Sequence, residues 1–282
     1  MLQFGLLIDL SGSYNDDLIS IKALAPALLD DLLLTDAGVE RDLRLALGTY
    51  VDIPESPYGF FSDYDYREEK DFGTCAVGDA DCAESERDDW IKAVNGLSTL
   101  NGNDTPESQS IALMSAIEEW DWTSGYTKFL AITTDAPFHT PEDDARYFSV
   151  DDIIAAANVK DIKIIALKAV GAGPEMDELA LGTGGSIQTT TSTSSDIVDA
   201  IISGVEASTY SIVEVTSSCE DPWAVTSGSP VTDVSGGSTV EITSEVCAQE
   251  DTESTCEAEM VADGATLETF TFAVVDGMVV IT

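Results

Sequence analysis

The first two-thirds of the chain alternates short, wholly apolar runs with longer stretches whose apolar residues recur every three or four positions. Few folds accept that rhythm. Residues 3–9 read as a buried strand, and 43–51, 128–134 and 160–169 read as three more. Residues 16–34 put Leu18, Ile21, Leu24, Ala25, Leu28, Leu29 and Leu32 on one helical face, with Pro26 set to bend it. Helices are also expected over 108–120, 150–158 and 195–206. Such alternation predicts an α/β domain: a doubly wound, mostly parallel sheet with helices on both faces. Ligands bind sheets of this kind beyond the carboxyl ends of the strands.

Near residue 209 the texture changes. Runs over 210–215, 238–246, 255–260 and 266–275 are rich in Val, Thr and Ile, and Gly, Ser, Asp and Pro punctuate them. This predicts a small all-β, sandwich-like domain over 209–282, following an α/β domain over 1–208.

Charge narrows the partners. Twelve Lys and Arg face 53 Asp and Glu, a formal net charge of −41. Hydrophobic residues still make up 44%, too many for a disordered acidic tail. That charge repels nucleic-acid phosphates and anionic headgroups, so neither DNA, RNA nor a membrane surface is an expected partner. No apolar run reaches the ~18–20 residues that span a bilayer. No Lys or Arg follows Lys168. Bound cations would offset only a small part of the excess, so a saline, extracellular or cell-surface setting is expected, where salt screens the repulsion. The chain opens directly on strand-like residues, and any signal segment is expected to lie outside it.

Five cysteines stand at 75, 82, 219, 247 and 256. Cys75 and Cys82 close a short polar loop with no nearby histidine, which favours a small disulfide over a metal site. Cys247 and Cys256 flank a charged turn and could join two strands. That pairing leaves Cys219 alone.

The chemistry gathers at predicted strand ends. The first strand finishes in Asp9-Leu-Ser-Gly-Ser13, followed by Asp16 and Asp17 at the start of a helix. A hard divalent cation takes oxygen ligands, and one acidic residue with two hydroxyls leaves it electrophilic enough to accept an incoming carboxylate. Taken alone, the motif could equally be a turn capping the helix. Four other carboxylates belong to the same predicted edge: Asp52 after the second strand, Asp135 after the strand over 128–134, and Asp104 and Glu107 of Asp104-Thr-Pro-Glu107 before a helix.

Four segments carry a family likeness: Asp9-Leu-Ser-Gly-Ser-Tyr-Asn-Asp-Asp-Leu18, Gly48-Thr-Tyr-Val-Asp-Ile-Pro-Glu-Ser-Pro-Tyr58, Asp104-Thr-Pro-Glu107 and Thr133-Thr-Asp-Ala-Pro-Phe-His-Thr140. In order and interval they resemble the I-like domain of integrin β subunits, a variant of the von Willebrand factor A fold, over residues 1–208. The Cys75–Cys82 loop resembles that family's specificity-determining loop. The resemblance implies three neighbouring ions. Asp9, Ser11, Ser13 and Glu107, with Asp135 at longer range, match the central metal-ion-dependent adhesion site for Mg²⁺ or Mn²⁺. Ser13, Asp16 and Asp17 match an adjacent Ca²⁺ site. Asp52, Asp104, the carbonyl of Pro106 and Glu107 match a third, also for Ca²⁺. The family usually carries Asn where Gly102 stands, which puts the third site in question.

The implied function is cation-dependent adhesion, not catalysis. The central ion would accept an acidic group of a protein ligand, and a companion surface chain is a further expected partner. Movement of the helix starting at Asp16 and of the one over 195–206 would tune affinity. The linear order departs from integrin β, where the I-like domain is inserted within the neighbouring domain. A Mg²⁺-dependent phosphoryl hydrolase and a purely structural, metal-stiffened module are the alternatives. His139, the only histidine, is expected in a solvent-facing loop, and Trp90, Trp120 and Trp122 in the core. The acidic run over 63–69 reads as a solvated loop or a rim of the binding face.

Overall fold

The computed structural model describes residues 2–33, 42–75, 79–189, 201–202, 204–205, 209–217, 223–226, 228–235, 242–248, 255–262, 265–275 and 278–281. The chain divides into two compact units: Leu2–Thr123 with Lys128–Ser208, and Thr209–Thr282 with Met1 and Ser124–Thr127.

In the first unit β1 (Leu2–Asp9) leads through a short 3-10 turn (Gly12–Tyr14) into α1 (Asn15–Leu33), which continues through Pro26. Then follow β2 (Leu43–Tyr50), β3 (Arg67–Lys70), α2 (Ala80–Gly96), α3 (Gln109–Glu119), β4 (Thr127–Thr134), α4 (Val150–Val159), β5 (Ile162–Lys168), α5 (Glu175–Gly182) and β6 (Ser186–Thr189). They form one six-stranded sheet in the order β3-β2-β1-β4-β5-β6. β1 pairs with β2, β4 with β5 and β5 with β6 in parallel, while β3 closes one edge antiparallel. The order turns back between β1 and β4, which makes their carboxyl ends the switch point where a ligand crevice opens.

Period-two alternation builds a core on each face of the sheet. Phe4, Leu6 and Ile8 pack with Leu18, Ile21, Leu28 and Leu32 of α1 and with Trp90 and Val94 of α2. Leu7 points the other way, into a cluster with Leu113 and Ile117 of α3, Ile153 of α4 and Met176 of α5. On that second face Trp120 lies over two glycines. A Cβ on Gly5 would stand 2.3 Å from Trp120 Cζ3, and one on Gly48 3.0 Å from Trp120 Cζ2. Both strands can approach the indole only because these positions lack side chains.

Several elements differ from expectation. The acidic run does not stay a solvated loop: Arg67–Lys70 becomes the edge strand β3, and Asp63 is buried. Its charged side chains suit an edge that must not pair further. Cys82 lies within the first turn of α2, whose amide is capped by Asp79. α2 shows little apolar periodicity because Trp90 and Val94 anchor an otherwise charged helix. α5 and β6 were also not anticipated. Of the helix expected over 195–206, Ile201, Ile202, Gly204 and Val205 are helical, and the rest lies outside the described residues.

The second unit holds antiparallel strands: β7 (Thr209–Ser217), β8 (Trp223–Thr226), β9 (Val231–Ser235), β10 (Glu245–Ala248), β11 (Cys256–Ala262), β12 (Ala265–Val275) and β13 (Met278–Ile281). They form a five-stranded sheet, β13-β12-β11-β7-β9, and a pair, β10-β8. Within the expected 238–246 strand only the part beginning at Glu245 is strand among the described residues.

Cys75 and Cys82 are bonded, with their Cα atoms 5.7 Å apart. The proposed Cys247–Cys256 bond is not formed. Cys247 is a free, exposed thiol, whereas Cys256 is buried and disulfide-bonded. The reason is topological. Cys247 sits on β10 opposite Ala224 of β8, and Cys256 opens β11 in the other sheet, between β12 and β7. Cys219 lies outside the described residues.

Gly5→Ala is expected to lower folding stability by about 1–3 kcal/mol, because the indole of Trp120 must move. Urea unfolding at fixed Mg²⁺ measures this, and an unchanged midpoint would contradict the packing described.

Candidate metal centre

Asp9 ends β1 at the switch point and is fully buried. Its Oδ1 accepts from the Ser11 amide at 2.8 Å, and its Oδ2 from the Thr134 hydroxyl at 2.9 Å. The backbone then turns so that the Ser11 and Ser13 hydroxyls lie 3.1 Å apart, and Ser13 Oγ donates to Asp135 Oδ1 at 3.1 Å. One string of oxygens thus joins β1 to the end of β4. The loop carrying Glu107 is drawn to the same edge by main-chain pairing: Glu107 N donates to Pro137 O at 3.1 Å, and His139 N donates to Glu107 O at 3.2 Å. Glu107 is 3% exposed, and its Oε2 receives no hydrogen bond.

Asp16 and Asp17 occupy the first turn of α1, where unpaired amides favour negative charge. Asp17 is buried, and its Oδ1 is likewise unpartnered.

At the third position Asp52 is fully buried. Its Oδ1 accepts from the Ser108 hydroxyl (2.8 Å), the Tyr147 hydroxyl (2.8 Å) and the Ile53 amide (2.7 Å), leaving Oδ2 without a hydrogen bond. Asp104 is nearby and open to solvent. Between them stands His139, contrary to the expectation of a solvent-facing residue. It is 4% exposed, with Nε2 3.3 Å from Asp52 Oδ2 and 3.4 Å from Asp104 Oδ1. The pairing of Glu107 with the 137–139 loop pulls it inward, and the rings of Tyr58 and Tyr147 cover it. Gly102 has φ +64°, and a Cβ there would lie 3.1 Å from Glu107 Oε1. Of its neighbours, Asn103 donates its side-chain amide to Pro57 O at 2.6 Å. Pro106 precedes Glu107 in the same loop. Thr134, Ser108, Tyr147 and His139 were not chosen from the sequence. Only Ser108 carried a signal, as the residue following Glu107.

The electrostatics of this edge are one-sided. Burial pushes the Asp9 carboxyl up to about 7 against the Ser11 amide and hydroxyl that hold it down, and Asp135 adds to the rise. Burial, then Asp16, Asp135 and Asp9, bring Asp17 to about 7. Burial, then Asp9, Asp52, Asp104 and Asp135, drive Glu107 to about 11. Asp52 alone among them is lowered: burial opposes its charge, but His139, Tyr147, Ser108 and the Ile53 amide outweigh it. Buried carboxylate oxygens with no donor, each raising the cost of its neighbours' charge, are the arrangement that a divalent cation relieves. The chemistry of Asp9, Ser11, Ser13 and Glu107 thus fits a divalent cation, whereas the third cluster includes an imidazole nitrogen.

A family model described as the integrin beta chain VWA domain matches residues 2–155, more than half of the chain. The chain belongs to the integrin β VWA-domain family. No curated protein matches the VWA-domain chain in sequence. Among solved structures it is similar to proximal thread matrix protein 1 from the mussel byssus with a zinc-occupied MIDAS motif, at 13% identity and a TM-score of 0.50. That match covers 71% of this chain and 44% of the mussel protein. A second structure of the mussel protein matches at 14% identity and a TM-score of 0.48, over 72% of this chain and 44% of that one. The chain thus spans less than half the length of these relatives, and at such identity the likeness shows the VWA fold alone.

The raised carboxyls fix the sign of a pH effect. In the metal-free protein Asp9, ordinarily near 3.8, holds its proton to about 7, so the folded state binds more protons than the unfolded chain across that interval. Asp17 behaves likewise, and Glu107 extends the effect upward. Their contribution to stability is full below the unfolded pKa values and is lost as pH rises through the folded ones. Metal-free protein is therefore expected to melt at a lower temperature at pH 8 than at pH 5, with saturating Mg²⁺ removing most of the difference. Melting curves in chelator and in Mg²⁺ test this. A metal-free melting temperature that rises with pH over this interval would contradict it.

Proposed function

We propose that the VWA domain binds an acidic group of a protein ligand through a divalent cation held by Asp9, Ser11, Ser13 and Glu107, with Asp135 acting at longer range. The buried Oε2 of Glu107, which receives no hydrogen bond and whose charge Asp9 opposes more than any other group does, carries the reading. Two carboxylates can both keep their charge there only when a cation lies between them. Mg²⁺ or Mn²⁺ suits the central set, because two carboxylates and two hydroxyls fall short of an octahedral shell and leave the ion open to a further anionic ligand. Ca²⁺ suits Ser13, Asp16 and Asp17, where α1 begins. Shifts of α1 would then couple ligand binding to the helix face of the core.

Binding fits these residues better than catalysis does. Ser11 stands where a phosphoaspartate hydrolase needs a second aspartate. The only histidine is held among Asp52, Asp104 and Asp143, not against a hydroxyl nucleophile. A cell-surface or extracellular location in a saline medium accords with the −41 charge and the Cys75–Cys82 bond. Among the described residues no helix is long and apolar enough to cross a membrane. A companion surface chain remains part of the proposal.

Calorimetric titration with Mg²⁺ and Mn²⁺ tests the cation site. Asp9→Ala is expected to weaken central-site affinity roughly a hundredfold or more, since even a supporting residue around a metal is worth ten- to a hundredfold. C-terminally amidated peptides with one internal, exposed Asp or Glu should be captured only with Mg²⁺ or Mn²⁺, and their Asn or Gln counterparts not at all. Unchanged metal binding in Asp9→Ala, or equal capture of the amide peptides, would refute the proposal.

A further inference from the structure

The third cluster does not suit the all-oxygen Ca²⁺ shell expected for it. Ca²⁺ takes six to eight oxygens. Here Asp52 has committed Oδ1 to three donors, Gly102 brings no side-chain oxygen, and the amide of Asn103 is turned to Pro57. Apart from Glu107, assigned above to the central ion, and the Pro106 carbonyl, the cluster offers three ligand atoms within 4.8 Å of one another, on Asp52, Asp104 and His139, and one of them is an imidazole nitrogen. We infer that this cluster is a Zn²⁺-class site, in which His139 Nε2, Asp52 Oδ2 and Asp104 Oδ1 hold a transition-metal ion.

Four observations carry this. Asp52 is fully buried, and its Oδ2 faces the imidazole with no other partner. Nε2 lies 3.3 and 3.4 Å from the two carboxylate oxygens. Two ligands at ~2.0–2.1 Å from one tetrahedral ion stand about 3.3–3.4 Å apart, so no rearrangement of the imidazole is needed. The far nitrogen, Nδ1, faces Asp143 Oδ2 at 3.5 Å, and that carboxylate is itself fixed by the amide and hydroxyl of Thr140. A carboxylate behind the imidazole is the usual support for a metal-bound histidine. Finally, the ring is already oriented: it stacks on Tyr147 at 4.8 Å and 20°, and meets Tyr58 edge-on at 5.0 Å. Asp104, open to solvent, leaves the fourth position to water.

The inference shares with the proposed function the idea that this sheet edge holds cations, yet the two can fail separately. His139 is the only histidine, so labelled protein gives a single imidazole ¹⁵N signature. With the central site saturated by Mg²⁺, one equivalent of Zn²⁺ is expected to shift the Nε2 resonance, and excess Ca²⁺ is not. Asp9→Ala should keep the Zn²⁺ response while losing Mg²⁺ binding. Asp104→Asn, at an open position where folding is not at stake, should weaken the Zn²⁺ response at least tenfold, and His139→Gln should abolish Zn²⁺ binding at this site with Mg²⁺ binding retained. An imidazole signal that Zn²⁺ leaves unchanged would overturn the inference, the ring then being simply a protonated partner of two aspartates. A response equally strong with Ca²⁺ would also overturn it.

Discussion

Three carboxylates, Asp9, Asp52 and Glu107, are withdrawn from water at one end of a sheet. Removing an anion from water is costly unless something positive or richly hydrogen-bonding replaces the solvent. Asp52 meets that requirement through hydroxyls, an amide and an imidazole. Asp9 meets half of it through Ser11 and Thr134. Glu107 does not meet it at all on Oε2. The surrounding architecture holds these groups in place regardless: the strand order reverses between β1 and β4 there, and the Glu107–Phe138 bridge fastens the loop between α2 and α3 to the loop after β4. The proposed cations would supply the positive charge that such an edge lacks.

Much of this was legible in the residues. The alternation of apolar runs and helical faces announced the sheet, since both periods are set by backbone geometry and survive in a single sequence. Asp9, Asp52 and Asp135 could be placed because each follows a strand, and strand ends in a parallel sheet share an edge. What escaped were features decided by tertiary contact. α2 carries charge on nearly every face and is held by Trp90 and Val94, too few anchors to reveal a period. The edge strand β3 is Arg-Glu-Glu-Lys, which reads as a loop until β2 offers it a partner. His139 looked solvated because it falls in the loop after Asp135, whereas the rings that cover it are those of Tyr58 and Tyr147, some ninety residues apart from one another. The Cys247–Cys256 pairing failed for the same reason, because proximity along the chain said nothing about which sheet each strand joins.

The net charge divides accordingly. A few acidic residues are positioned by β1, β2, α1 and the Glu107 loop, with their protonation shifted by burial and by one another. The great majority lie elsewhere, including every charged residue of the lysine- and arginine-free segment after Lys168. Those speak for the medium around the protein and not for its site. Membership of the integrin β VWA-domain family agrees with the first group and is silent about the second.

Anomalous diffraction from crystals grown with Mn²⁺ addresses the central claim most directly, because it locates the ion without reference to any ligand. The account predicts a manganese peak bounded by Asp9, Ser11, Ser13 and Glu107, at bonding distance from the oxygen of Glu107 that lacks a donor. A well-ordered crystal with no manganese at that edge, and Glu107 keeping its proton there, would contradict it.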